Sequence, residues 1–353
     1  MKKLIIIQTV TPDYRAQFFR TLEEGLKDRY KLYGGDVYFQ KSIKSSELIK
    51  KISIKNHFFL GRKFLFQTGI WHLLFLNHVL VMSLNPRVIS NWLFLLVRRL
   101  LGKEIVLWGH AWPRHGKESK SDKVRSLMRK LATSIIVYTN QQKKELEAKM
   151  PNKKIYSAPN ALVSKSEMTT NQASSEITNI LFVGRLTKEK KPYFLLQSFA
   201  EHINQFPKET KLLFVGEGEE KKEMEKFIIQ NKVEERVKLH GHISDYQELK
   251  ALYSSSLFSV SPGYVGLSLT QSLGFGVPML VSRNENHSPE VEALNEFNSL
   301  FFETDDIHSC GRTMLKVFSE KKDWVQRRSK IMTACKANYS VENMTQTFID
   351  LLK

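Results

Sequence analysis

The residues best suited to chemistry in this chain are an arginine, a lysine and a set of glycine turns in its second half. In residues 180–192, ILFVGRLTKEKKP, an apolar run ends at Gly184, Arg185 follows directly, and Lys190 stands where the next helical pattern begins. Arg185 can offer a planar fork to phosphate oxygens, and Lys190 a point charge. Residues 212–220, LLFVGEGEE, repeat the scheme with Gly216, Glu217 and Gly218 in the turn. Residues 257–290 then read as strand, glycine turn, helix, glycine turn, strand. Pro262 and Gly263 break the first strand, Gly266 opens a helix carrying Leu267, Leu269 and Leu273, and Gly274, Gly276 and Pro278 close it. A glycine at the first turn of a helix lets a ligand approach free amides, which favour an anion. Any one of these turns is explained equally well by packing. Together with two cations on one sheet edge, they point to a phosphate group.

Such turns need a sheet to hold them. Strand patterns over 4–10, 31–34, 57–60, 79–84, 105–108, 134–139 and 154–158 alternate with helical patterns over 14–28, 86–101, 121–131 and 140–149. That alternation implies a mostly parallel sheet covered on both faces. Residues 164–179, with the polar run MTTNQASSE, have no apolar period and read as a linker. Alternation resumes with strands over 180–183, 211–215, 237–239, 257–260, 279–281 and 300–302, separated by helical patterns near 190–205, 219–230, 246–253, 267–275 and 305–318. Helical patterns over 322–337 and 341–352 make a tail. A chain of 353 residues is expected to form two domains. The expectation is a first α/β domain over 1–163, a linker over 164–179, a second α/β domain over 180–337, and a C-terminal helix within 338–353 packing back on the first domain. Ligands of doubly wound sheets bind at the carboxyl ends of the strands, so a cleft between two such domains is the expected site.

Hydrophobic content of 42% and charged content of 25% belong to a globular protein with proper cores. Cys310 and Cys335 offer neither a disulfide framework nor metal spacing and fit free thiols in a reducing compartment. The amino terminus, MKKLIIIQTV, resembles a leader, but its apolar run is short and Asp13, Arg15 and Arg20 follow, so it reads as a first strand. Residues 64–81 are greasy yet interrupted by Gln67, Gly69, His72, Asn77 and His78, a poor spanning helix. The net charge is +18. One basic patch holds Lys41, Lys44, Lys50, Lys51, Lys55, Arg62 and Lys63 against Glu47; another runs from Arg114 to Lys130 against Glu118 and Asp122. Such patches attract polyanions. Ile43, Leu48, Ile49, Ile52, Ile54, Phe58 and Phe59 interleave the first, which suits an anionic membrane surface better than nucleic acid. No helix-turn-helix, zinc-finger or RNA-binding signature is present. The expected location is cytoplasmic, peripheral on the inner face of the plasma membrane.

The second half resembles the retaining GT-B glycosyltransferases of family 4, glycosyl transferases group 1. The residues that carry the resemblance are FVGRLTKEKKP, FVGEGEE, the glycine of LHGH, SPGYVGLSLTQSLGFGVPMLVS, and APN at 158–160, in the family's order. It covers 154–290 well and the first half loosely. It implies an α/β GT-B architecture: two doubly wound Rossmann-like domains facing a cleft, with a helical C-terminal tail. It also implies that Arg185 and Lys190 grip the donor diphosphate and that the amides at Gly266 and Leu267 cap its distal phosphate; Gly184, Gly216, Glu217, Ser268, Gln271 and Glu290 are the further candidates for the donor site. His110, in WGHAW after a strand, resembles the family's donor-contacting histidine; a satisfied loop histidine is the bland alternative. Tyr14 and Arg15 occupy the place of the family's first glycine loop, which lacks its glycine pair here, and are candidates for the acceptor side.

The chain departs from the family at two glutamates, whose places fall on Gly263 and Gln271. Gln271 can still hydrogen-bond ribose hydroxyls, without charge assistance. Gly263 cannot replace a carboxylate; Glu290 or Glu217 could supply one. No Asp-x-Asp motif or His/Cys cluster suggests a metal, and no cofactor is expected beyond a nucleotide diphosphate sugar as donor, UDP ahead of GDP. The expected partners are that nucleotide sugar and a glycan or lipid-linked acceptor, with no nucleic acid. The expected reaction is transfer of a hexose-type sugar to an acceptor hydroxyl, with retention. A degenerate binder without turnover and a sugar-nucleotide epimerase are the rival readings.

Overall fold

In this computed structural model, residues 1–40, 44–113, 116–171, 173 and 176–353 are described. The apolar run near the amino terminus becomes β1 (Leu4–Gln8), whose first four residues are buried. It is followed by α1 (Ala16–Leu26), β2 (Tyr30–Gly34), β3 (Ile52–Ser53), β4 (Lys55–Phe59), β5 (Phe64–Thr68), β6 (Val79–Ser83), α2 (Ile89–Leu100), β7 (Ile105–Trp108), α3 (Lys120–Leu131), β8 (Ser134–Val137), α4 (Asn140–Lys149) and β9 (Lys154–Ser157). Seven of these strands form a parallel sheet in the order β3-β2-β1-β6-β7-β8-β9. Alternate residues face opposite cores, as the two-residue strand period requires. Leu4, Ile6, Val79, Val81 and Val106 enter one core. Ile5, Ile7, Leu80, Met82, Ile105 and Leu107 enter the other, with Phe94 and Leu95 of α2 and Met128 of α3.

The second half continues with β10 (Asn179–Val183), α5 (Pro192–Glu201), β11 (Leu212–Val215), α6 (Lys221–Gln230), β12 (Val237–Leu239), α7 (Tyr246–Ser255), β13 (Ser256–Ser261), α8 (Ser268–Gly274), β14 (Met279–Ser282), β15 (Ser299–Phe302), α9 (Ile307–Ser319), α10 (Lys321–Asn338) and α11 (Val341–Asp350). Its sheet is wholly parallel in the order β12-β11-β10-β13-β14-β15. Strand order reverses between β10 and β13, the place where doubly wound sheets leave a crevice at their carboxyl ends. Helix starts follow local chemistry: Asp245, Asp306 and Ser340 accept the amides of Glu248, Ser309 and Asn343, and Pro192 takes the first position of α5.

The chain divides into two compact units, Met1–Leu162 with Ser340–Lys353, and Val163–Tyr339. Helix α11 belongs to the first unit, where Val341, Met344 and Phe348 join Phe18, Phe19 and Leu22 of α1 in one core.

Two expectations need correction. The 57–60 strand does not join the main sheet: β4 and β5 form a separate antiparallel hairpin. The β5 run had read only as a greasy stretch, because the turn needs positive φ at Leu60, Gly61 and Arg62 and just one of those is glycine. The 164–179 stretch is not a free linker, since Met168 and Ile177 are buried and the Tyr246 hydroxyl donates to the Glu167 carbonyl. The first basic patch is divided: Lys44, Lys50, Lys55 and Lys63 are exposed, as are Leu48, Ile52 and Phe59, while other members turn inward. Ile49 and Ile54 are buried, Lys51 pairs with Asp36 at 2.7 Å, and Arg62 donates to the carbonyls of Tyr38 and Phe39. In the second patch Arg129 is buried and forks onto Asp122. Lys41, Ile43 and Arg114 lie outside the described residues. No helix among the described residues is long and apolar enough to cross a membrane. Cys310 and Cys335 are free and buried, and burial pushes both thiols up to about 12.

Candidate active site

At the carboxyl end of β10 the chain turns at Gly184, and the turn after β11 packs directly beneath it. Gly216 has φ +142°, and a Cβ there would sit 1.8 Å from the Gly184 carbonyl oxygen. A Cβ on Gly218 would meet the Leu186 oxygen at 2.2 Å. Only glycine permits this approach. The two turns are then stitched together: the Leu186 amide donates to Glu217 O and the Glu220 amide to Leu186 O, each at 3.0 Å.

Above these turns lies a pocket of about 420 Å³. Gly184, Arg185, Gly216, Glu217 and Gln271 line it, with Val183, Val215, Ile243 and Leu249 as an apolar wall and His242 beside them. Its size and mixed lining suit a small ligand with an apolar ring and polar groups. Sequence reasoning missed His242, Ile243 and Leu249. Gly241 in LHGH was the available signal: its φ is +74°, which turns the chain after β12 toward the pocket. Gln271 is held from behind by Tyr253, a fully buried tyrosine whose hydroxyl donates to Gln271 Oε1 at 3.3 Å. One carboxylate oxygen of Glu217, half-exposed at the pocket, pairs with Lys221 at 2.7 Å.

Arg185 is exposed, and no hydrogen bond or ion pair among the described residues engages its guanidinium. Lys190 lies close by. Burial, then the Arg185 charge, pull its ammonium down to about 8, against a smaller opposing effect of Glu290. Its Nζ donates to the Tyr264 carbonyl and stands 4.6 Å from the centre of the Tyr264 ring. A Cβ on Gly266 would lie 3.4 Å from that Nζ. The Gly266 and Leu267 amides donate to no backbone carbonyl among the described residues. Ser268 begins α8, which is short, so these direct donors matter more than any helix dipole. Two cations and two amides therefore converge where the strand order reverses, which is chemistry for a phosphate or diphosphate.

The position expected to lack a glutamate is not an empty place. A Cβ on Gly263 would lie 2.3 Å from the Glu189 carbonyl oxygen, and the Tyr264 amide donates to that same oxygen at 2.8 Å. Glu290 is buried in the turn after β14, near enough for Lys190 to sense its charge. His287, which sequence reasoning passed over, braces this corner. Its Nδ1 accepts the Val265 amide at 3.2 Å and its Nε2 donates to the Ser282 carbonyl at 2.8 Å. Burial, with the Lys190 charge, pulls the imidazole below its ordinary value.

In the first unit, His110 follows β7 and its exposed ring meets Tyr138 edge-on, with centroids 4.6 Å apart. Arg125 donates to the His110 carbonyl at 2.9 Å. Arg15, beside the start of α1, is only 8% exposed. Its guanidinium donates to Asn160 Oδ1 at 2.7 Å and lies 5.0 Å from the Trp108 ring centre and 5.6 Å from those of Tyr14 and Tyr138. Tyr14 is exposed. Arg15 and His110 thus both meet Tyr138 at the carboxyl edge of the first sheet, with Tyr14 and Asn160 against Arg15, and Tyr138 is the member sequence reasoning did not name. Among the described residues, no group of three or more His, Cys, Asp or Glu side chains is placed to hold a metal ion.

Two doubly wound α/β units in one chain, with a site at the strand-order reversal of the second, define a GT-B-like protein. Solved structures agree across the whole chain. Anabaena HepE in complex with UDP is 13% identical with a TM-score of 0.72, over 100% of this chain and 99% of that one. Sucrose-phosphate synthase from Thermosynechococcus elongatus is 14% identical with a TM-score of 0.69, over 99% and 98%. A mutant of S. aureus TarM in complex with fondaparinux, α-GlcNAc-glycerol and UDP is 10% identical with a TM-score of 0.63, over 100% of both chains. At these identities the likeness is one of fold. Residues 165–333 match the family described as Glycosyl transferases group 1, and this match with the shared fold supports that family for the chain. An uncharacterized glycosyltransferase of Methanocaldococcus jannaschii is 28% identical over 164 residues, 43% of this chain, and the match spans only 40% of that relative's length.

Proposed function

We propose that this protein is a retaining, metal-independent glycosyltransferase of family 4 that moves a hexose-type sugar from UDP to a hydroxyl of a glycan or lipid-linked acceptor. The observation that carries the reading is the pair Arg185 and Lys190, held beside the Gly266 turn, with the guanidinium unpaired. The apolar wall of the adjoining pocket receives the base, and Gln271 meets the ribose hydroxyls. HepE and TarM, which share the fold, were solved with UDP, which favours UDP over GDP. In the reaction the bond between the sugar C1 and the diphosphate oxygen breaks, and the electron pair stays on that oxygen. Charge grows where Arg185, Lys190 and the amides are aimed; fixed donors of this kind are each worth roughly 3–4 kcal/mol of barrier. The acceptor oxygen bonds to C1, and its proton passes to a donor phosphate oxygen. The first unit's His110 is assigned to the sugar, and Tyr14 and Arg15 to the acceptor. The setting is surface polysaccharide or glycolipid synthesis in a bacterium, on the inner face of the membrane.

Thermal stabilisation by UDP, GDP and ADP, with Arg185→Ala beside the native protein, tests the donor site. Bound UDP well above its dissociation constant raises stability by about 2–4 kcal/mol, and Arg185→Ala removes the shift. No shift with any nucleotide would overturn the reading. A second reading, a binder without turnover, is favoured by one observation: the backbone at Glu189 fills the space where a side chain on Gly263 would stand. Binding of UDP-sugars with neither transfer to an added acceptor mixture nor hydrolysis would select it.

A further inference from the structure

Helices α2 and α3 cover the same face of the first sheet, since Phe94 and Leu95 of α2 and Met128 of α3 share one core with Leu80 and Leu107. Their outward sides therefore face the same way. On α2 that side carries Leu93, Leu96 and Leu100, at helical spacing; Leu96 is 48% exposed and Leu100 87%. On α3 it carries Val124 and Leu127, the latter 53% exposed. Phe75, 66% exposed, joins them. Its segment is fixed to α2 by Arg98, a buried arginine that donates to the carbonyls of Leu73, Leu74, Leu76 and His78. Large apolar side chains gathered on one surface mark an interaction site rather than scattered exposure.

The charges on these helices indicate what covers them. Arg99, Lys120, Lys123 and Lys130 are exposed. The only acid on either helix, Asp122, is buried and spent on Arg129 and Lys149. The outward surface of both helices is apolar and cationic with no exposed carboxylate. A second copy would bring like charges together, and a neutral protein surface would leave the cations unanswered. We infer that the outward face of α2 and α3 is a docking surface for an anionic lipid bilayer, with the leucines entering the acyl boundary and the cations meeting headgroup phosphates. In the other basic stretch Lys51 and Arg62 are engaged inside the fold, while Lys55, Phe59, Leu60 and Lys63 of the β4–β5 hairpin stay exposed, so a hairpin variant is needed to separate the two surfaces. The inference concerns the membrane setting proposed above and does not rest on the donor site.

The test is sedimentation of the full chain with vesicles of phosphatidylcholine alone or mixed equally with phosphatidylglycerol. Binding is expected only to the mixed vesicles and should weaken with salt. Leu93→Ser/Leu96→Ser/Leu100→Ser should lower the partition coefficient about tenfold or more. Lys123→Glu/Lys130→Glu, a surface change that leaves the core untouched, should lower it comparably and flatten its salt dependence. Phe59→Ser/Leu60→Ser, on the hairpin, should bind like the native protein. Unaltered UDP stabilisation in each variant reports an intact fold and keeps this outcome separate from the donor-site reading. No binding to mixed vesicles overturns the inference. So does unchanged binding in the Lys123→Glu/Lys130→Glu variant, or a concentration-dependent dimer in sedimentation velocity that the leucine variant abolishes.

Discussion

Lys190 offers a direct test of the phosphate site through its charge. Burial and Arg185 pull its ammonium from an ordinary 10.5 down to about 8. A diphosphate placed against both cations supplies the missing anion and returns the lysine toward its ordinary value. The empty protein keeps the proton only below about 8, while the complex keeps it up to about 10.5. Binding therefore takes up a proton between those values, and affinity falls as pH rises through them. With these two values the dissociation constant for UDP rises about tenfold from pH 7 to pH 9, and about half a proton is taken up at pH 8. The same depressed value makes the unliganded fold gain stability as pH rises from about 8 toward 10.5, because there the unfolded chain holds the proton that the folded one has lost. Titration calorimetry in buffers of different ionisation enthalpy reads both the affinity and the proton count. Lys190→Arg stays charged throughout, so it should retain binding and lose the slope. A dissociation constant that is flat from pH 7 to pH 9, or a slope that persists in Lys190→Arg, refutes the reasoning.

Three further outcomes follow from the geometry. Gly216→Ala forces a Cβ to within 1.8 Å of the Gly184 oxygen at a φ of +142°, so it should cost well over about 1 kcal/mol in denaturant melts and abolish UDP binding; a native-like melt would contradict the stitched turns. Gly263→Glu, which writes the family's carboxylate back, should destabilise by about 1–3 kcal/mol through overpacking against Glu189 and should not raise turnover; a stable, faster enzyme would show that the turn yields. His287 has a lowered pKa, so its contribution is whole above the ordinary 6.5 and is lost as pH falls below it. Melts from pH 7.5 to pH 5 should therefore show a decline that His287→Ala, already weaker by about 1 kcal/mol, does not share; parallel curves would remove His287 as the brace.

The fold was largely legible because both sheets are parallel and buried on both faces. Strands such as Ile105–Trp108 and Leu212–Val215 are uninterrupted apolar runs bounded by polar or glycine residues. The site was legible where it depends on backbone: Gly184, Gly216 and Gly266 declare their turns, and the cations follow at fixed short offsets. It was illegible where it depends on distant packing. Nothing local shows that Tyr253 stands behind Gln271, that His287 reaches back to Val265, or that Arg15 is buried against Trp108 and Tyr138. Charge was only partly legible for the same reason. A run of lysines and arginines in sequence does not reveal which of them the fold consumes. Arg62 and Arg129 serve carbonyls and a carboxylate, while Lys120, Lys123 and Lys130 of the second patch and Lys44, Lys50, Lys55 and Lys63 of the first remain at the surface.

Gly263 ties the missing carboxylate to the cationic corner. The 187–191 turn is closed by the Lys190 and Lys191 amides donating to the Thr187 carbonyl, at 2.9 and 3.1 Å. Its Glu189 carbonyl then takes the Tyr264 amide, an approach only a residue without a side chain at 263 allows. That contact sets Lys190 with its Nζ on the Tyr264 carbonyl and against Gly266. A side chain at 263 would push the turn away and carry Lys190 off the amides it shares the phosphate with. Glycine at 263 and the present seat of Lys190 thus belong to one packing arrangement. At 271 an amide stands at the second glutamate's place; the Tyr253 hydroxyl takes one lone pair of its oxygen, and the NH₂ group adds a donor that a carboxylate lacks. The ribose oxygens would then accept where a glutamate would have made them donate. A 2′-deoxy or 2′-fluoro UDP analogue separates the two polarities: fluorine, a weak acceptor that cannot donate, should bind better than hydrogen here, and equal binding of both would remove Gln271 from the ribose.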